Sequence, residues 1–378
     1  MADGLDGVVA ATTQLSLVDG ERGELVIAGF PIGDLAEQAT FEETTWLLWH
    51  GDLPSTAQLG RFRRALAAAR ELPDATLTLL RDCARRRVGA MDALRMAAGT
   101  LSLVSNDAAG IVARVPTIVA AYSRLETGQE PIAPRADLAH AANFLYMLRG
   151  DLPDPERVRG LETYLNTVID HGFNASTFTA RVITSTGSDL VSAIVGALGA
   201  LKGPLHGGAP GPALDMVFEI GVASRAEDVL RKKIEAGEKL MGFGHRIYKV
   251  RDPRADVLAA AAERMFTRGG DMSLYVLARS VEAEAVRLLA LYKPGRRLQT
   301  NVEFYTALLL HGLGLDVALF TPTFAISRVS GWIAHAFEQR RANRIIRPQS
   351  EYAGPRGRTW VPLSQREERI PSCTLEPA

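Results

Sequence analysis

Helical periodicity, running almost without a break from about residue 35 towards the tail, constrains this chain more than any other feature. Leu161, Tyr164, Leu165, Val168 and Ile169 recur at the spacing of one helix face. Leu190, Val191, Ile194, Val195 and Leu198 form a similar face in the next segment, which stops at Gly203-Pro204. Residues 41–50 read as a helix closed by Gly51. Asp252-Pro253 is a helix start, with Asp as N-cap and Pro at the first helical position, and Thr321-Pro322 is another, opening the run 324–340. Ser224 and Glu227 have the spacing of a capping box for a helix ending near Gly237. Strand character is confined to the first 35 residues, where 14–18 and 24–28 flank a turn at 19–23. Strands do not alternate with helices, so the predicted fold is all-α with a short β-hairpin near the N-terminus.

At 378 residues the chain is longer than one core sustains, so two domains are expected. Lys+Arg and Asp+Glu both total 43, a balance that gives no support for nucleic acid or an anionic membrane as the main partner. Local arginine clusters still leave room for a small anionic ligand. The two cysteines, Cys83 and Cys373, are far apart and lack metal-ligand spacing, which suits a reduced compartment. The acidic start at residues 1–6 has no apolar run, so neither a secretory signal nor a transit peptide is expected there. No stretch of about 18 apolar residues is expected to span a bilayer. The reading is a soluble, cytoplasmic protein. The least structured stretches are expected at 268–271 and in the tail beyond Gly354, which is rich in Pro, Arg and Ser.

Three segments concentrate chemistry: Gly203-Pro204-Leu205-His206-Gly207-Gly208, Met241-Gly242-Phe243-Gly244-His245-Arg246 and Asn301-Val302-Glu303-Phe304. Glycine beside a polar side chain lets backbone approach a ligand closely. Two imidazoles and a carboxylate are the parts needed to take a proton from carbon and polarise two carbonyls. Each has a plainer reading. His206 sits in a turn where glycine gathers anyway. The Gly-x-Gly before His245 lacks the preceding strand of a dinucleotide fold, so that fold is rejected, although its backbone N–H groups suit a phosphate or a base. Glu303 fits a capping box with Thr300. Arg254 stands at a helix N-terminus, where the dipole disfavours a cation, and so suggests an anionic partner or a salt bridge to Asp252 or Asp256. Arg328, amid small and apolar residues, needs a carboxylate or phosphate. Arg347 is a third candidate. His171 opens the polar interruption 171–178 and reads equally as a core histidine; His50, His140, His311 and His335 are given no role.

This order of segments resembles the citrate synthase family. The match extends from about Leu5 to Gly354 and includes Val18-Asp19-Gly20 with Gly29, Phe41-Glu42-Glu43, residues 140–146 and residues 171–178. The resemblance implies a two-domain helical homodimer, with a large domain at 1–210 and 313–378 and a small, CoA-binding domain at 211–312 that closes over the substrates. It implies condensation of acetyl-CoA with oxaloacetate and water to citrate and CoA, with no permanently bound cofactor and no metal. By motif position, His206 bonds the thioester carbonyl while Glu303 takes the methyl proton. His245 polarises the ketone with help from His171, Arg254 and Arg328 hold the carboxylates, and Arg347 reaches in from the other subunit. Met241, Gly242, Phe243 and Gly244 correspond to the adenine site, and Lys249 to a phosphate-binding cation.

One departure stands out. The family's commonest base is aspartate, whereas this chain has Glu303, one methylene longer; some prokaryotic relatives also look like Asn-Val-Glu. Misplacement by about an ångström costs around 100-fold in rate if uncompensated. Three alternatives compete: 2-methylcitrate synthesis from propionyl-CoA, separated by a methylene worth only ~1–3 kcal/mol; a metal hydrolase built on the three histidines and Glu303, unsupported by any His-x-x-x-His pair; and a non-catalytic CoA-binding regulator.

Overall fold

The hairpin comes first in the chain. β1 (Ser16–Asp19) pairs antiparallel with β2 (Glu24–Ile27), placing Ser16 opposite Ile27 and Asp19 opposite Glu24. Asp19 closes the turn by accepting from the N–H groups of Glu21 and Arg22. A third strand that the sequence reading missed, β3 (Phe30–Pro31), adds two residues to the edge; a pair so short carries no periodic signal. The computed structural model describes residues 3–5, 7–104, 107–207, 210–245 and 247–366. Sixteen α-helices and this one sheet make up the regular structure there, so the fold is all-α as expected. Gly208, Arg246, Cys373 and the tail from 367 onward lie outside the described residues.

The helices start where short polar side chains satisfy their first N–H groups. Asp154, Asn174, Asp189, Asp252 and Asn301 each accept a backbone bond from the first turn of the helix they open. Gly51 closes the helix Phe41–His50 at φ 85°, the left-handed conformation glycine adopts without strain. Three helix-start expectations are corrected. Ser224 lies inside a 3-10 turn (Ala223–Arg225), and the helix Ala226–Glu235 begins without a side-chain cap. The helix expected from Thr321 starts at Phe320, because the preceding 3-10 turn (Val317–Leu319) feeds it directly, and the Thr321 hydroxyl bonds Gly207 O instead. The Thr300–Glu303 box does not form, since Asn301 is the cap.

The helix Phe320–Arg341 is the centre of the core. It packs against the helices Phe41–His50, Ala108–Glu126, Pro155–Val168, Ala175–Ser185 and Leu190–Leu201. Trp332, Ile326 and Ile333 are fully buried on it, each contributing roughly 1.5–3 kcal/mol by leaving water. The stretch 317–341 is long and apolar enough, by length and composition, to cross a membrane, which corrects the expectation that no such stretch exists; 78% of its most apolar part is buried inside this chain. Gly331 brings the helix against the segment leading to His171, since a Cβ there would overlap the Ile169 carbonyl oxygen and lie 3.2 Å from Asp170 Oδ1.

The chain divides into two compact units, 1–345 and 346–378. In the described part of the second, a 3-10 turn (Leu363–Gln365) is the only helical element, Tyr352 donates to Pro355 O, and Arg366 lies over the Trp360 ring.

Candidate active site

Asp252 shows how local sequence builds the site. It caps its own helix (Pro253–Gly269) by accepting from Arg254 N, and its Oδ2 also accepts from Val302 N, at the start of the helix Val302–Gly312. One buried carboxylate thereby ties together the helix starts that carry Arg254 and Glu303. Arg254 donates to it through Nε and Nη2, at 3.0 and 2.8 Å. The salt-bridge reading of Arg254 is therefore observed. It explains how a buried cation tolerates a helix N-terminus: burial opposes its charge, but Asp252 outweighs that and raises its pKa overall.

The loop before Asp252 is zipped to the segment before Glu303. Gly244 N donates to Gln299 O, Asn301 N to Gly242 O, and Asn301 Nδ2 to Gly244 O. Gly242 and Gly244 sit at φ 86° and 85°, and a Cβ on Gly242 would lie 3.0 Å from Phe304. Both conformation and space therefore require glycine. His245 follows. Its Nδ1 accepts from Ile247 N and Tyr248 N at 3.0 and 3.1 Å, and these two shorter bonds favour the ring proton on Nε2 over a third approach, Arg254 Nη2 at 3.4 Å from Nε2. Burial, then Arg254, lowers its pKa to about 4.

His171 lies beyond the C-terminal end of the helix Pro155–Val168, buried, its Nε2 3.1 Å from Tyr248 Oη and its ring centroid 5.8 Å from that of His245. Burial and the nearby Arg254, Arg328 and His245 hold it well below the usual histidine range. His206 follows the helix Leu190–Leu201, with Nε2 2.8 Å from Ser176 Oγ. Burial, then Arg328, takes its pKa to about 4. All three imidazoles are neutral at pH 7. Glu303 moves the other way: burial, aided by Asp252 and opposed by Arg254, pushes its pKa up to about 7.

Arg328 is 2% exposed. Its Nε donates to Val168 O and its guanidinium lies over the Phe324 ring. Burial lowers its pKa to about 10 despite the supporting charge of Asp170. Among the described residues no carboxylate hydrogen-bonds it. A buried guanidinium left so strongly favours an incoming anion.

These groups line one cavity of about 1170 Å³. Of the twelve positions singled out by sequence, eleven border it: His171, His206, His245, Arg254, Glu303, Arg328, Met241, Gly242, Phe243, Gly244 and Lys249. Lys239, Lys293 and Arg296 also border it. Arg347 belongs to the second unit, where it is exposed. Sequence reasoning missed Ser176, Tyr248 and the double role of Asp252. Ser176 lay within the polar stretch already marked at 171–178, but nothing local pointed to Tyr248. His335, given no role, is buried and donates to Asp170, its Nδ1 accepting from Arg181.

A family model described as "Citrate synthase, C-terminal domain" matches residues 4–349. Citrate synthase 2 of Bacillus subtilis is 41% identical over 375 residues, covering 96% of this chain and 98% of that one. The 2-methylcitrate synthase of Mycobacterium tuberculosis is 40% identical over 364 residues, covering 93% and 90%. The citrate synthase of Thermoplasma acidophilum, solved as a ternary complex with carboxymethyl coenzyme A and oxaloacetate, superposes with a TM-score of 0.88 at 29% identity, covering 97% and 99%.

Proposed function

The chain belongs to the citrate synthase family, and from that premise we propose how its cavity works. It is a transferase that condenses acetyl-CoA with oxaloacetate and water to give citrate and CoA. The observation that carries the assignment of roles is Arg328, buried without a carboxylate hydrogen-bonded to it among the described residues, on the cavity that Glu303 also lines. A guanidinium so placed suits a substrate carboxylate.

Oxaloacetate binds with its carboxylates on Arg254 and Arg328 and its ketone oxygen towards His245 Nε2–H. Acetyl-CoA places its thioester carbonyl at His206. Ser176 Oγ stands 2.8 Å from both Asn174 Oδ1 and His206 Nε2; on binding, its one hydrogen turns from Asn174 to His206 Nε2, and His206 keeps its proton on Nδ1 for that carbonyl. Glu303, its pKa raised to about 7 chiefly by burial, takes a proton from the methyl group. A neutral imidazole stabilises the resulting enol without surrendering its proton entirely, the use to which an enzyme puts a histidine of lowered pKa. The enol carbon attacks the ketone carbon, the ketone oxygen takes the proton of His245, and a citryl thioester forms; the proton held by Glu303 then replaces the one His245 gave up, returning both groups to their starting states. Water then adds to that thioester, the C–S bond breaks and CoA leaves as thiol.

The backbone of Met241, Gly242, Phe243 and Gly244 holds the adenine, and Lys249, which borders the same cavity, holds a phosphate. Residues 211–312 form the small domain, with 1–210 and 313–378 as the large one. The protein works as a cytoplasmic homodimer in which Arg347 completes the partner's site, with no metal, membrane or nucleic acid involved. A 2-methylcitrate reading rests on the Mycobacterium tuberculosis relative and uses the same residues on propionyl-CoA. Oxaloacetate-dependent kcat/KM for the two thioesters separates them. A higher value for acetyl-CoA supports citrate synthesis, and a higher value for propionyl-CoA moves the assignment to 2-methylcitrate.

A further inference from the structure

The β1–β2 hairpin touches both histidine loops. At one end, the Ser16 hydroxyl donates to Asp170 Oδ2 at 2.5 Å and accepts from Gly172 N at 2.9 Å, so it grips the residues on either side of His171. Val18, on the same strand, stands 3.5 Å from where a Cβ would be on Gly172. At the turn, Gly20 O accepts from Lys249 N at 2.9 Å. A Cβ on Gly20 would overlap the Ile247 carbonyl oxygen and lie 2.8 Å from its carbon. The φ of Gly20 is not in the left-handed region, so space rather than conformation requires glycine here. Gly23 makes a second close approach, its Cβ position 2.7 Å from Val250 Cγ2.

Ile247 and Tyr248 supply the two N–H groups that fix the His245 ring, and the Tyr248 hydroxyl meets His171. The contacts therefore close on themselves: Ser16 to Gly172, His171 to Tyr248, Lys249 to Gly20, and back along one strand. We propose that the hairpin is a positioning element for the two imidazoles, with Gly20 and Ser16 as its positioning residues. Its rigid four-residue strand sets the separation of the His171 and His245 loops. Its close approach at Gly20 holds Ile247 where its N–H keeps His245 protonated on Nε2. The hairpin touches no substrate; it acts through the rings it holds.

The inference rests on His171 and His245 serving the ketone of oxaloacetate. The test compares Gly20→Ala and Ser16→Ala with wild type and with Gly29→Ala. Gly29 is a hairpin-end glycine whose substitution strains the backbone (φ 92°) but meets no atom within 4 Å. Gly20→Ala is expected to lower kcat/KM for oxaloacetate by about 10–100-fold, with KM for acetyl-CoA within about twofold of wild type, and Ser16→Ala to act in the same direction. Gly29→Ala is expected to lower Tm without that selective loss. Ring-nitrogen shifts of ¹⁵N-histidine-labelled protein provide a readout that needs no turnover: the Nε2–H signature of His245 is expected in wild type and lost in Gly20→Ala. Wild-type kinetics and ring shifts in Gly20→Ala would overturn the proposal. So would losses that follow Tm equally for both substrates in Gly20→Ala and Gly29→Ala. If wild type itself releases no thiol with oxaloacetate, the functional reading fails, and the ring shifts alone then decide whether the hairpin sets the imidazoles.

Discussion

Glu303 is where the physics of this site is most exposed to test. A base with its pKa at about 7 loses its working form as pH falls through that value. His206 and His245, at about 4, stay neutral throughout the same range. The acid limb of kcat against pH is therefore expected near 7 and belongs to Glu303; a limb set by an ordinary glutamate, below pH 5, would contradict this. Arg328→Gln is expected to raise KM for oxaloacetate about 10–100-fold, the effect of losing the ~1.5–3 kcal/mol of a hydrogen bond to a charged group, while KM for acetyl-CoA barely changes. Away from the cavity, burial and the neighbouring Glu42 raise the pKa of Glu162 to about 7. A carboxyl whose folded pKa exceeds its unfolded value of 4.5 lends stability at low pH that is lost as pH rises through 7. Moving from pH 5 to pH 8 should then favour Glu162→Gln over wild type by on the order of 2 kcal/mol in denaturant titrations. An unchanged difference would mean that the Arg159 ion pair offsets the burial.

At the scale of elements, close approach and capping place the chemistry. Gly331→Ala should drive the helix Phe320–Arg341 away from Ile169, lowering both Tm and turnover, because Arg328 and the His171 segment meet across that contact. Wild-type turnover in this variant would show that the approach matters only to packing. Asn301→Ala removes a helix cap worth about 1 kcal/mol and also the bond that holds Gly244 O, so its loss of turnover should exceed what its Tm alone accounts for. Much of this was legible in sequence. Asp252-Pro253, Gly51 and the two alternating runs of the hairpin carry their signals within a few residues. The glycine-flanked histidines and Glu303, singled out by motif and order, border one cavity. Ser176, Tyr248 and the second bond of Asp252 were not singled out, since each acts through a neighbour distant in sequence: Ser176 through His206, Tyr248 through His171, Asp252 through Val302. The Ser224 box and the Thr321 start failed for a related reason, as 3-10 turns upstream already delivered the chain into those helices.

At the scale of the molecule, the helical core does one thing for function: it brings segments near residues 171, 206, 245, 254, 303 and 328 to a single cavity. The proposal that Arg347 serves the partner's site predicts complementation. Glu303→Gln and Arg347→Ala homodimers should both be nearly inactive, whereas a mixed dimer holds one site with both defects and one intact, and should recover activity. Mixed dimers without recovery would place Arg347 in its own subunit's site or outside the chemistry altogether. The most direct test of the whole account is thiol release from acetyl-CoA at pH 8 in EDTA, with oxaloacetate added last, for wild type beside Glu303→Gln. The account predicts release by wild type only after oxaloacetate is added, and a rate at least ~100-fold lower in Glu303→Gln with both substrates still bound. Equal rates in the two proteins, or no oxaloacetate-dependent release from wild type, would contradict it.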